Sequence, residues 1–63
     1  MDYLARIFFN SGLQKTAAFN TPGKAMEYVI GWWESGYPVA YVDVIKLTSS
    51  GSIRRIFNIF AGI

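Results

Sequence analysis

A chain of 63 residues that contains neither cysteine nor histidine has few ways to hold a fold together. Disulfide bridges are impossible, and zinc and iron–sulfur sites lack the side chains that usually bind these metals. A domain this short buries only about 60% of the surface that its unfolded chain exposes, so it depends on dense apolar packing or on a partner. The sequence therefore predicts a single domain over residues 1–63, with no metal and no cofactor.

The composition supplies more apolar surface than a domain of this size can bury. Apolar residues make up 52% of the chain and aromatic residues 17%, whereas charged residues make up only 16%. Some of these apolar side chains must remain exposed, and contiguous exposed apolar patches usually mark contact sites.

The first third of the chain predicts a β-hairpin. Residues 3–9 and residues 13–19 alternate their side chains between two faces, as strands do. An Asn-Ser-Gly turn signal at residues 10–12 separates them, and Gly12 can adopt the positive φ that tight turns require.

The strongest local signal is the start of a helix at Thr21. A threonine N-cap can accept a hydrogen bond from the amide of Lys24, and Pro22 is well tolerated at the first helical position. The helix is predicted to run to about Ser35, because Gly36 suits a left-handed C-cap and Pro38 prevents continuation. Its predicted buried arc contains Ala25, Met26, Val29, Ile30 and Trp33.

The second half of the chain predicts a third strand over residues 39–48, with Ala40, Val42 and Val44 on one face. A Ser-Ser-Gly-Ser turn follows, and residues 53–63 fit either a strand or an amphipathic helix. The strand is favoured, because two arginines in a first helical turn would oppose the helix dipole. We therefore expect an α+β fold, a two-layer ββαββ domain with one helix packed on an antiparallel sheet; the alternative is ββαβα with a C-terminal amphipathic helix.

The sequence offers no set of residues suited to catalysis, so we expect no enzyme. Glu27 and Glu34 are seven residues apart on the polar side of the predicted helix, or about 10 Å along its axis. That distance is too long for the carboxylate pair of a retaining glycosidase. The turn serines have no visible base, and Asp43 has no evident partner.

Protein binding is the best-supported function. Tyr28 and Trp32 are four residues apart on one flank of the helix, beside Gly31, and aromatic residues and arginines are enriched at binding hot spots. We expect the protein to bind and modulate or inhibit a larger protein, or to form a homodimer through an uncovered sheet edge. The predicted partner-binding residues are Tyr28, Gly31, Trp32, Tyr41, Arg54, Arg55 and Phe57.

The alternative function is nucleic-acid binding by a small basic protein. Basic residues and aromatic residues share the predicted strands, and such a sheet can neutralise phosphates and stack bases. The net charge of +2 is mild, and attachment to a membrane surface has weaker support still. The absence of cysteine and of a leader-like N-terminus predicts a cytoplasmic protein. The residues predicted for nucleic-acid binding are Arg6, Phe8, Lys15, Lys46, Arg54 and Arg55.

One stretch of the chain carries a resemblance. Residues 19–28 (FNTPGKAMEY), followed by Trp32, Trp33 and a valine-rich strand, resemble a layout common in small bacteriophage proteins. The similarity covers about half of the chain. Some of those proteins bind and inhibit host enzymes such as RNA polymerase, so the resemblance implies a phage- or prophage-encoded inhibitor.

Overall fold

A computed structural model describes residues 2–60. Its strands are β1 (Tyr3–Phe9), β2 (Gln14–Phe19), β3 (Val39–Leu47) and β4 (Ile53–Phe60), and its helix α1 (Pro22–Trp33) lies between β2 and β3. This order confirms the predicted ββαββ fold. The helical alternative is wrong for residues 53–60, and the rest of that prediction, residues 61–63, lies outside the described residues.

The four strands form one antiparallel sheet in the order β2-β1-β3-β4. Both predicted hairpins are present, β1 with β2 and β3 with β4. They are joined by pairing between β1 and β3, which therefore lie in the centre of the sheet. As a result, β2 and β4 are the two edge strands.

The ends of α1 follow the local signals in the sequence. Thr21 is the N-cap, and its Oγ1 accepts a hydrogen bond from the Lys24 amide at 3.3 Å. The helix ends at Trp33, two residues before the predicted end, with Glu34 as the C-cap. The Ser35 hydroxyl donates to the Trp32 carbonyl at 2.7 Å, and Gly36 follows with a φ of 89°. Ser35 therefore closes the helix end instead of extending it.

The core lies between α1 and one face of the sheet. The helix packs chiefly on β1 and β3 and less on β2, which leaves β4 at the margin of its footprint. Within the predicted buried arc of the helix, Ala25 and Val29 are fully buried, whereas Met26, Ile30 and Trp33 are half-buried. The buried core cluster consists of Ala5, Ile7, Ala25, Val29, Val39, Val42 and Val44.

Two irregularities change the phase of the strands. Between the pairs Phe8–Tyr41 and Phe9–Val39, Ala40 has no opposite residue on β1. The prediction that Ala40 shares a face with Val42 and Val44 is therefore wrong, because the extra residue brings Val39 into the core cluster with them instead. Similarly, Ile56 of β4 has no opposite residue on β3, since Phe57 pairs with Val44 and Arg55 with Ile45.

Candidate interaction surfaces

Exposed large apolar side chains fall into two groups among residues 2–60. The first group, Leu13 and Tyr37, lies beside Trp32, and these two side chains are 70% and 62% exposed. The second group lies on β4 and the facing end of β3 and comprises Leu47, Ile53, Ile56 and Phe60. Sequence reasoning selected none of these six residues as a site residue. Tyr37 borders a turn, where periodicity carries no signal, and Leu13, which belongs to the predicted strand over residues 13–19, precedes the observed start of β2.

The first group belongs to a surface that we call the aromatic flank, defined by Phe9, Leu13, Tyr28, Trp32 and Tyr37. Trp32 is its centre: its ring meets Phe9 edge-on at a centroid distance of 5.5 Å and Tyr37 at 5.3 Å. Trp32 also packs against the core. It therefore both closes the core and presents part of its ring to the surface.

Two hollows flank Trp32. The larger, of about 350 Å³, is lined by Tyr28, Gly31, Trp32 and Tyr37, together with polar Glu27 and Ser35. A Cβ built at Gly31 would have no atom within 4 Å, so this glycine keeps the hollow open. The predicted group of Tyr28, Gly31 and Trp32 is therefore brought together in one surface depression.

The second hollow lies on the other side of the Trp32 ring and has a volume of about 300 Å³. Phe9, Leu13 and Pro38 line it, and Trp32 and Tyr37 are shared with the first hollow. Lys15 approaches the Trp32 ring from β2, with its ammonium 5.8 Å from the ring centroid. Trp32 and Tyr37 thus form a ridge between two largely apolar depressions.

The sheet face away from α1, called the open face here, carries its side chains in rows set by the strand register. Phe8, Tyr41 and Phe60 are direct partners across β1, β3 and β4, and the Phe8 and Tyr41 rings are 5.5 Å apart. The next row contains Arg6, Asp43 and Asn58, and the row after it contains Leu4, Ile45 and Arg55.

Asp43 is fully buried at the centre of the open face. Arg6 donates to both of its carboxylate oxygens, from Nε to Oδ1 at 2.8 Å and from Nη2 to Oδ2 at 2.5 Å. The Tyr41 hydroxyl donates to Oδ2 at 3.0 Å, and Arg55 Nε lies 3.9 Å from the same oxygen. The carboxylate therefore connects side chains from β1, β3 and β4.

This network shifts the pKa of two of its members. The hydrogen bonds to Asp43 raise the pKa of Arg6, which stays charged. Burial raises the pKa of Tyr41 because it disfavours the phenolate, and the hydrogen bond to Asp43 raises it further. The open face thus holds a protonated tyrosine and a paired arginine side by side.

The predicted nucleic-acid residues divide between the two sides of the sheet. Arg6, Phe8 and Arg55 lie on the open face. Lys15 lies on the opposite side against Trp32, and Lys46 lies over the Tyr3 ring at 5.6 Å. The sixth residue, Arg54, pairs with Lys46 on that opposite side. The six residues do not form one continuous surface.

The predicted partner-binding residues occupy three places. Tyr28, Gly31 and Trp32 line the larger hollow, and Tyr41 and Arg55 belong to the open-face network. The remaining two lie on the helix side of β4, where Phe57 packs against the core and Arg54 is exposed.

No family model, curated protein or solved structure matches this chain. Among residues 2–60, no helix is long and apolar enough to cross a membrane. The same residues bring together no group of three or more side chains that could hold a metal ion.

Proposed function

We propose that this protein is a non-enzymatic interaction module that binds a larger protein and modulates or inhibits it. The observation that carries the proposal is the gathering of exposed apolar side chains around Trp32 in the aromatic flank. Further exposed apolar side chains lie along β4 and at the end of β3. Exposed apolar side chains that occur singly need no explanation, whereas contiguous patches mark sites of contact.

The aromatic flank has the chemistry of a binding hot spot. A partner side chain seated in either hollow would contact the Trp32–Tyr37 ridge, and the exposed Leu13 and Tyr37 would be covered around it. Aromatic rings bury a large area at a small cost in side-chain entropy, and they dominate the energetics of many interfaces.

Exposed cations add orientation to this binding. Arg54 and Arg55 are exposed and Lys46 is half-buried, all at one end of the β3–β4 hairpin. Such a cluster steers association toward an acidic partner surface and raises the association rate more than the affinity. A phage or prophage origin and a cytoplasmic location are parts of the proposal that rest on the sequence alone.

A second candidate function is the binding of single-stranded nucleic acid on the open face. The row of Phe8, Tyr41 and Phe60 favours it, because successive aromatic rings can stack bases. Against it, Asp43 already engages Arg6 and lies near Arg55, and its negative charge offsets theirs. Protein binding is therefore the better supported of the two.

Affinity capture from a lysate of the encoding organism tests the proposal. We expect the wild type to retain a defined protein as salt is raised, and Tyr37→Ala to lose it while melting like the wild type. Lys24→Ala, which changes an exposed helix residue outside the ridge, is the matched control.

Capture of nucleic acid alone, with affinity that falls steeply as salt rises, would instead support the second candidate. The proposed function fails if wild type and Tyr37→Ala retain the same proteins.

A further inference from the structure

We propose that β4 accepts an extended acidic segment of the partner as a fifth strand of the sheet. This inference rests on the proposed function and adds to it a binding mode and a partner chemistry. Three observations carry it: the free edge of β4, the apolar side chains along that edge, and the cations at one end of it.

The free edge of β4 follows from the order β2-β1-β3-β4, in which β4 pairs with no strand other than β3 within residues 2–60. Two hydrogen bonds at the end of β3 show which way its backbone groups point. The Thr48 amide donates to the Ser52 carbonyl on the β4 side, whereas the Leu47 amide donates to the Asp2 carbonyl on the β1 side. Successive residues of an antiparallel strand direct their backbone N–H and C=O groups to opposite neighbours. The backbone groups of Lys46, Val44 and Val42 therefore point toward β4. Their partners on β4 are Arg54, Phe57 and Ile59.

The backbone groups of Asn58 consequently point away from β3, because Asn58 lies between two residues that bond inward. The unpaired N–H and C=O groups of an edge strand are what an added strand uses for its main-chain hydrogen bonds. An added strand would thus be bound mainly through the backbone, with specificity coming from alternate side chains.

The exposed apolar side chains along β4 favour the addition of such a strand. Ile53, Ile56 and Phe60 are 65%, 39% and 63% exposed, and β4 contains no proline that would remove a backbone donor from its edge. A strand laid beside β4 would cover these apolar groups as well as pair its backbone.

Charge decides which strand fits. At the turn end of β4, Arg54 and Lys46 are direct cross-strand partners with no carboxylate within ion-pair distance among residues 2–60. Arg55 is 3.9 Å from Asp43, yet its side chain remains 58% exposed. Opposite charges on neighbouring strands are stabilising, so carboxylates opposite the arginines and apolar residues opposite 57–60 complement this edge.

The same charges disfavour a second copy of the chain in the register that places the arginines of the two copies opposite each other. In antiparallel self-pairing centred on the arginines, Arg54 and Arg55 of one copy would face those of the other, and facing like charges are destabilising.

Fluorescence anisotropy with two synthetic peptides tests the inference. Each probe has about ten residues, comparable with the eight of β4, and alternates valine and threonine. One probe carries a pair of glutamates, and the other carries lysines at the same positions. We expect the wild type to bind the glutamate probe at least about tenfold more tightly than the lysine probe.

Asn58→Pro and Asn58→Ala form the matched pair of variants. Proline removes the outward N–H, whereas alanine removes the side chain and keeps the N–H. We expect Asn58→Pro to lose up to about tenfold in affinity for the glutamate probe, as for one lost hydrogen bond, and Asn58→Ala to stay within about twofold of the wild type. If Asn58→Pro fails to fold, Arg54→Glu combined with Arg55→Glu replaces it, and this variant must prefer the lysine probe.

Several results would overturn the inference. Equal binding of the two probes would show that the arginines do not select an acidic strand. Equal loss of affinity in Asn58→Pro and Asn58→Ala would show that the Asn58 N–H does not bind the added strand. A dimer in sedimentation that Asn58→Pro converts to monomer shows that a second copy occupies the edge. Displacement of the glutamate probe by a single-stranded oligonucleotide assigns the surface to nucleic acid.

The captured cellular partner separates this inference from the proposed function. If Asn58→Pro still retains that partner while Tyr37→Ala loses it, strand addition at β4 is wrong and the proposed function stands. If both variants retain the same proteins as the wild type, both proposals fail. Loss of the partner in both Tyr37→Ala and Asn58→Pro, but not in Asn58→Ala, supports both proposals.

Discussion

The two edge strands of the sheet, β2 and β4, differ in how far the rest of the chain covers their apolar side chains. On β2, Ala17 and Phe19 are partly covered, and Phe19 contacts Tyr28 of the helix at a centroid distance of 5.3 Å. The residues of β2 left exposed include polar Gln14, Lys15 and Thr16. On β4, by contrast, the exposed residues include large apolar ones, such as Ile53 and Phe60.

The position of the helix explains this difference. α1 follows β2 in the chain and packs over β2, β1 and β3, so its aromatic side chains close the β2 side of the domain. One helix is too narrow to cover four strands equally. Part of the surplus of apolar residues seen in the composition therefore appears at the β4 side, and the rest lies in the aromatic flank at Leu13 and Tyr37.

The largest expected loss of stability comes from a substitution in the central strands, with which both edge strands pair. Ile7→Ala should destabilise the domain by about 2–5 kcal/mol, because Ile7 is fully buried between the helix and the sheet. Ile53→Ala, at an exposed position of β4, should change stability by less than about 0.5 kcal/mol. Urea unfolding of both variants measures the contrast, and similar losses would show that β4 is part of the core.

Asp43 links β4 to the centre of the sheet through side chains, in addition to the backbone pairing of β4 with β3. Asp43→Asn should cost about 1.5–3 kcal/mol, since it leaves Arg6 with weakened hydrogen bonds while keeping the side-chain shape. Hydrogen exchange should then show faster opening of β4 than of β2, because Arg55 loses its nearby carboxylate. Uniform acceleration over both edges would contradict a specific role at β4.

Alkaline pH tests the same network without a change at Asp43. The folded state raises the pKa of Tyr41, so it binds this proton more tightly than the unfolded state does. This contribution to stability is complete below about pH 10, the ordinary tyrosine value. It is lost as pH rises through the folded pKa.

Thermal melting from neutral to alkaline pH compares the wild type with Tyr41→Phe. We expect a shallower alkaline loss in Tyr41→Phe, because this variant has no hydroxyl to ionise. Parallel curves would show that ionisation of Tyr41 does not contribute to the alkaline loss of stability.

The smallest expected effect concerns the side that the helix closes. Gly31→Ala should stabilise the helix by up to about 1 kcal/mol, because alanine has the higher helix propensity. The new methyl group would cause no clash, since it meets no atom within 4 Å. The methyl group would also narrow the larger hollow. A partner bound through the aromatic flank should lose affinity, whereas the peptide probes for β4 should bind as before, and calorimetry of both reports the outcome.

Local features of the fold were predictable because they depend on neighbouring residues. Thr21 and Pro22 determine the start of the helix, and alternation over residues 3–9 indicates the first strand with the bounds that the structure has. The end of the helix was predicted within two residues, since Gly36 does take the left-handed conformation.

Long-range features were not predictable from one sequence. The pairing of β1 with β3, and with it the contact between Arg6 and Asp43, joins residues 37 positions apart. The unpaired residues Ala40 and Ile56 have no local signature, because an extra residue in a strand is recognised only against its partner strand. Of the candidate site, Tyr28, Gly31 and Trp32 were grouped by helix spacing alone, whereas Tyr37 joins them only in the folded chain.

The extra residue at Ile56 has a consequence for how this chain can change its length. Removing one residue from the middle of a strand normally sends every later side chain to the wrong side. Here Phe57 and Arg55 already pair with adjacent residues of β3, so a chain lacking Ile56 would keep both side chains on their present sides. β4 is therefore one place where a single-codon deletion would leave the architecture intact.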